Sequence, residues 1–308
     1  MRTIELCNFE KNISEINNNL SHTIFVFKQF SIDNKERNTK NPNELTTKIY
    51  TENEYSSQFN VKLKDIDEQA QNSLDYIFDT LFVFTNTQFE VYLKDVYLFI
   101  KENFIPSLPE PPDTKVYETI LERLDIDIET ELDNLFVSTF DYFRFRRNAI
   151  MHRHKTKRFQ GALEDLVKGT FAKDKKKKIL FRENQLNGQE LDLKWRQYSQ
   201  NLKSQGLKGY SIQNFNFSNR DLSKFSVTDL FDIFSFYRLY AAKLDLLILE
   251  KIEKSKLTKY CHKQYKEFYG ETKEETIEKF SSRFVRISKL VLNLEVEEKE
   301  VEEIFNGV

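Results

Sequence analysis

The chain has 308 residues, enough for one large domain or two of ordinary size, and its 28 Phe and 14 Tyr supply ample core material. Only seven Gly and five Pro exclude a barrel or sandwich full of tight turns. The net charge of −2 excludes a molecule that binds nucleic acid over its whole surface, so such a site must be a local patch.

Cys7 and Cys261 stand far apart and make no disulfide framework, so reduced thiols are expected. Residues 1–10 carry acidic side chains and no long apolar run, which speaks against a signal peptide. No stretch approaches the ~20 apolar residues of a membrane span. These readings give the expectation of a cytoplasmic protein.

Residues 1–66 are mixed in character. Residues 11–20 read as a short polar helix. Residues 23–27 (Thr-Ile-Phe-Val-Phe) and 59–63 (Phe-Asn-Val-Lys-Leu) have β-like content, and the polar residues 33–44 read as a loop. A small mixed α/β N-terminal region is the expectation. From residue 67 helical periodicity is strong: Leu74, Phe78, Leu81, Phe89, Tyr92, Val96 and Phe99 share a face, with one gap at Thr85. Four of the five prolines fall within residues 106–112. Proline lacks the N–H and clashes with the preceding turn, so the helix stops there. A shorter helix is expected over about residues 113–124.

A second long helix is expected over residues 129–152, with Leu132, Phe136, Phe140, Phe143 and Ile150 on one face. Arg147 falls on that face, where an arginine is costly to bury unless it is paired or meets a wet cleft or interface. Residues 154–223 break the pattern and read as an insertion, with short strands at 179–181 and 210–217 and a lysine run at 173–178. Ser226 followed by Asp229 reads as a capping box that starts a helix through Leu230, Phe234, Tyr237, Leu244, Ile248 and Ile252. The remainder is helical in parts and acidic at residues 295–303. The division is thus 1–66, then a helical domain over 67–253 with the insertion at about 155–223, then a C-terminal helical, acidic extension over 254–308.

The chemistry is concentrated in residues 144–158, which hold five Arg, two Lys, two His and no carboxylate. Such a run is ordinarily a solvated helix end, where cations favour the dipole. Here it contains Arg147-Asn148-Ala149-Ile150-Met151-His152. Arginine neutralises phosphate charge and histidine moves protons near neutral pH, so the pair suffices for phosphodiester chemistry without a metal. Arg147 and His152 are five apart, about 140° around an ideal helix. They converge on one phosphate only through arginine's long side chain, a local distortion or a second copy of the helix.

The Arg-Asn-x3-His pattern, closing a Phe-rich helix that packs on another, resembles the R-x4-6-H motif of the HEPN superfamily. The resemblance covers about residues 67–253, less the insertion. It implies a mainly α fold, a HEPN-like helical bundle with long antiparallel helices, and a homodimer in which two motifs face each other. It implies a metal-independent endoribonuclease without cofactor, with attack of an RNA 2′-hydroxyl on the adjacent phosphate leaving a 2′,3′-cyclic phosphate. His152 is then the general base or acid, Arg147 stabilises the phosphorane and Asn148 orients the His or the phosphate. Glu90 lies where relatives carry an acidic residue that holds the Arg. Arg144, Arg146, Arg153, Lys155, Lys157 and Arg158 are the RNA-facing cations.

In relatives paired with a nucleotidyltransferase antitoxin the motif continues His-x-Tyr. His154 stands at that Tyr position here, as a supporting acid–base group or a surface histidine. Standalone bacterial proteins of this kind are toxins or abortive-infection (anti-phage) effectors, which adds an antitoxin or defence-system protein to RNA as an implied partner. The alternative reading is a non-catalytic HEPN-like module that binds RNA or a nucleotide or bridges proteins.

Overall fold

Helix α1 runs from Ile4 to Lys40. The Thr3 hydroxyl starts it by accepting the Leu6 N–H at 3.1 Å, which satisfies one of the open first-turn donors. Leu6, Phe9, Ile13, Ile16, Leu20 and Ile24 recur at helical spacing and are buried. The β-like run at 23–27 and the loop expected over 33–44 are therefore helical as far as Lys40. Tertiary packing decides it: Ile24 is buried while Phe25 and Val26 are both exposed, a helical and not an alternating pattern. The computed structural model describes residues 1–152, 157–170, 181–182, 184–207, 209–219, 224–270 and 276–307, with 157–159 in backbone only.

The link to the next long helix holds α2 (Thr46–Ile49) and a single 3-10 turn at Leu63–Asp65. The β-like residues 59–63 contribute one isolated antiparallel bridge, Leu45 with Lys62, and no strand occurs among the described residues. Helix α3 (Ile66–Asn103) then lies antiparallel on α1, as side-chain bonds from Asn12 to Gln88 and from Ser31 to Asp67 show. It ends three residues before Pro106. The gap at Thr85 is benign, because its hydroxyl donates back to the Leu81 carbonyl at 2.8 Å.

Helices α4 (Val116–Arg123) and α5 (Ile128–Glu131) precede α6 (Asn134–Met151). The helix expected over 129–152 is thus broken at Leu132 and Asp133. Asp133 caps α6 by accepting the Leu135 N–H at 2.8 Å. After α7 (Lys157–Lys168), helix α8 (Gly188–Ser204) opens on a capping box of Asn187 and Glu190. The region expected as an insertion with strands therefore holds two helices. Residues 179–180 lie outside the described residues.

Residues 210–217 are irregular, with a bend at Asn214, and pair with no strand. Two helix-borne carboxylates take their N–H groups instead. Asp232 Oδ2 accepts from Gln213, Asn214 and Phe215 at 2.5–3.1 Å, and Asp192 accepts from Phe217 and Ser218 at 2.8 and 3.2 Å. This strap presses so closely on α8 that a Cβ at Gly188 would stand 2.6 Å from the Phe217 carbonyl oxygen. Phe215 and Phe217 plug the gap beneath it.

Helix α9 (Val227–Glu250) begins at the expected capping box, with Ser226 Oγ accepting the Asp229 N–H and Asp229 accepting the Ser226 N–H. It is followed by α10 (Lys254–Tyr269), α11 (Ile277–Leu292) and α12 (Glu298–Phe305). No helix among the described residues is long and apolar enough to cross a membrane.

The protein is mainly α-helical, and α3, α6 and α9 share one aromatic core. Phe89 lies 5.4 Å from Phe140, 5.3 Å from Tyr237 and 5.7 Å from Tyr240, centroid to centroid. Phe143 lies 6.1 Å from Phe82 and 5.3 Å from Phe236. Each enclosed Phe contributes about 1.5–3 kcal/mol by burial. Good ring pairs add about 0.5–1.5 kcal/mol each. The chain start is bound into this core. Asp245 of α9 accepts from the Thr3 N–H at 2.7 Å, the Thr3 hydroxyl at 2.6 Å and the Tyr92 hydroxyl at 3.1 Å.

Candidate active site

Helix α6 changes character along its length. Leu135, Phe136, Val137, Phe140, Tyr142, Phe143 and Phe145 are all buried. From Arg147 the residues are half-buried, and Met151 and His152 are exposed. An apolar helix that opens at its C-terminal end leaves its last polar side chains beside a wall of rings and in reach of solvent.

Arg147 sits at this boundary. Its Nη1 donates to Asn148 Oδ1 at 3.2 Å, while its Nε is enclosed with no hydrogen-bond partner. One turn earlier Phe143 stacks on Tyr237, 6.2 Å between centroids, so Arg147 continues the face that meets α9. The Tyr237 hydroxyl donates to Asn86 Oδ1 at 2.5 Å, and Asn86 Nδ2 donates to the Phe82 carbonyl at 2.8 Å. Burial raises the Tyr237 pKa strongly; the Arg147 charge pulls it back down and Glu90 pushes it up. Arg147 and Glu90 thus both bear on this buried hydroxyl. No ion pair joins them, so the hold on Arg147 expected of Glu90 is not made.

His152 is the C-cap of α6, and its N–H donates to the Asn148 carbonyl at 3.1 Å. The structure therefore brings Arg147 and Asn148 side by side, with His152 one turn beyond.

The cations expected to face RNA divide. Arg144 is drawn into an ion-pair network, contacting Glu118 and, at 3.1 Å, Asp141. Asp141 is also 2.8 Å from Arg182, which reaches Glu129 at 3.1 Å. Burial opposes the Arg182 charge, but Asp141, Tyr117 and Glu129 together favour it and the pKa is raised. Arg146 is only 4% exposed, and its guanidinium carbon lies 3.7 Å from the centroid of Phe225. A side chain enclosed in this way has no path to a phosphate. Arg153, His154 and Lys155, together with the side chains of Lys157 and Arg158, lie outside the described residues.

Asn86 and Tyr237 lie outside the motif and border the same end of α6. Asn86 carries a signal, since an amide inside an apolar helix demands a partner. Tyr237 carries none, because it reads as one more member of the apolar stripe of α9. Asp75 of α3, 3.0 Å from Lys224, also borders this end of the bundle.

No family model, no curated protein and no solved structure matches the chain.

Proposed function

We propose that the open end of α6 is the active site of a metal-independent endoribonuclease of the HEPN type. The observation that carries the reading is the hydrogen-bonded pair of Arg147 and Asn148 at the mouth of an otherwise closed aromatic core, with exposed His152 one turn on. Asn148 steers the Arg147 guanidinium, whose planar fork suits a phosphate placed over the helix end. Enclosure of Arg147 Nε away from solvent lowers the local dielectric and strengthens its pull on the charge that develops at phosphorus. His152 exchanges the proton of the attacking 2′-hydroxyl or of the leaving 5′-oxygen. The bond formed is 2′-O to phosphorus and the bond broken is phosphorus to 5′-O, which leaves a 2′,3′-cyclic phosphate.

Arg147 turns toward α9, whereas His152 projects from the helix cap. A two-fold related copy supplies the opposite wall of the cleft, and the working unit is a homodimer with the ends of its two α6 helices adjacent. Cleavage of cellular RNA fits a toxin or anti-phage effector held in check by a partner protein.

The test is incubation of mixed RNA with the purified chain in EDTA, wild type beside Arg147→Ala and His152→Ala. Cleavage by wild type alone supports the reading. RNA binding without cleavage points instead to a non-catalytic HEPN-like binding module.

A further inference from the structure

Arg146 and Arg147 are adjacent in the chain but differ in burial, Arg146 being enclosed and Arg147 half-buried. Arg146 is buried, yet no carboxylate among the described residues pairs with it. Two rings and one carbonyl hold it instead. Its guanidinium carbon is 3.7 Å from the Phe225 centroid and 5.6 Å from that of Phe215. Its Nη2 donates to the Lys224 carbonyl at 2.9 Å. Burial raises the pKa of neighbouring Tyr142, and the Arg146 charge offsets part of that.

Each of these partners is itself anchored. Phe215 belongs to the strap whose N–H groups are gathered by Asp232. Phe225 immediately precedes Ser226, the N-cap of α9. Lys224 Nζ lies 3.0 Å from Asp75 on α3. One guanidinium therefore ties the last turns of α6 to the strap, to the start of α9 and, through Lys224, to α3. A buried cation without a counter-charge is a poor stabiliser compared with an apolar side chain of the same size. What it supplies is direction: a plane stacked on a ring and a bond to one carbonyl fix orientation about the helix axis, which a methyl-bearing side chain does not.

We propose that Arg146 is a positioning residue for the candidate site: by clamping α6 to Phe225 and the Lys224 carbonyl, it sets where Arg147, Asn148 and His152 stand relative to a bound RNA phosphate. The inference rests on the ribonuclease reading. Small displacements suffice for an effect, since about 1 Å at the reacting centre can cost up to ~100-fold in rate.

The experiment uses the full chain with Arg146→Lys, which keeps the charge and loses the plane. Phe225→Leu is the milder variant should Arg146→Lys fail to fold, and Phe225→Trp keeps a ring in place. Backbone hydrogen exchange at residues 148–152 is read beside kcat and KM for RNA and the affinity for a 2′-O-methyl RNA that cannot be cut.

Arg146→Lys and Phe225→Leu are expected to speed exchange at 148–152 by about tenfold. They should lower kcat by about tenfold or more while KM and the affinity for 2′-O-methyl RNA hold. Phe225→Trp should restore both. An active wild type whose exchange at 148–152 is unmoved by Arg146→Lys overturns the inference alone, as does faster exchange with kcat unchanged. Loss of RNA affinity in step with kcat makes Arg146 a binding residue and also overturns it. A folded wild type that cuts no RNA sinks the ribonuclease reading, and the inference falls with it.

Discussion

The two ends of helix α6 obey different rules. At the closed end Phe136, Phe140 and Phe143 are enclosed by α3, α8 and α9, and the Thr139 hydroxyl there accepts from the Trp195 indole at 2.9 Å. At the open end Arg147 and Asn148 bond to each other and His152 is exposed. Two consecutive arginines mark the border. Arg146 is spent on holding the helix, and Arg147 keeps part of its surface toward solvent. A basic run in a sequence is therefore not one patch: helical period sends neighbouring cations to opposite uses, and only those past the last buried ring remain for a ligand.

Substitutions at the two ends test the contrast. The largest effect belongs to the closed end. Phe143→Ala removes a fully buried ring with four or more aromatic neighbours and should cost about 3–5 kcal/mol in denaturant unfolding, whereas Met151→Ala at the open end should stay within about 0.5 kcal/mol. Equal costs at the two positions would erase the distinction.

Next come Arg147→Ala and His152→Ala. Each should lower RNA cleavage by roughly 100-fold or more, about 2.7 kcal/mol in transition-state terms, with the melting temperature nearly unchanged. An Arg147→Ala chain that unfolds, beside a His152→Ala chain with full activity, would make the motif structural. Ser226→Ala deletes the cap of α9 beside the open end. The expected loss is about 1 kcal/mol, read by thermal unfolding.

The smallest effect is a pH dependence at the closed end. Burial raises the Asp245 carboxyl above its ordinary value of 3.8, against the hydrogen bonds from Thr3 and Tyr92 that favour its charged form. The folded chain then keeps this proton to a higher pH than the unfolded chain. The stability this group contributes is fully present below about pH 3.8 and is lost as pH rises through the raised value. Asp245→Asn cannot ionise, so the stability of wild type relative to this variant should fall between about pH 3 and 7. A difference that stays flat or grows over that range contradicts the assignment.

Much of the helical frame is legible in the sequence. The proline cluster predicts the end of α3, Ser226 with Asp229 predicts the start of α9, and the Phe steps of α3, α6 and α9 predict their buried faces. These signals are local and agree with the tertiary outcome. Helix α1 is not legible in the same way. Its run at residues 23–27 is β-branched and aromatic, and its last turns are polar, so propensity points elsewhere until α3 supplies a face for Leu20 and Ile24. The strap at 210–217 reads as a strand because its content is strand-like. Asp192 and Asp232 take its donors, and neither carboxylate declares that role in sequence.

The motif spacing singles out Arg147, Asn148 and His152 as candidates. It cannot tell that Arg144 is bound to Glu118, or that Arg146 lies beneath Phe225, because those partners come from α4 and from the segment just before α9. Nor does it place Asn86 against Tyr237, a meeting that only the packing of α3 on α9 creates.

The most direct test of the central claim is end-group analysis of RNA cut by the purified chain in EDTA. The expected result is 2′,3′-cyclic phosphate on the upstream fragment, protection of a site whose nucleotide is 2′-deoxy, and loss of the product in Arg147→Ala and His152→Ala. Cleavage that demands Mg²⁺ or Mn²⁺, that proceeds through a 2′-deoxy site, or that survives both substitutions would contradict it.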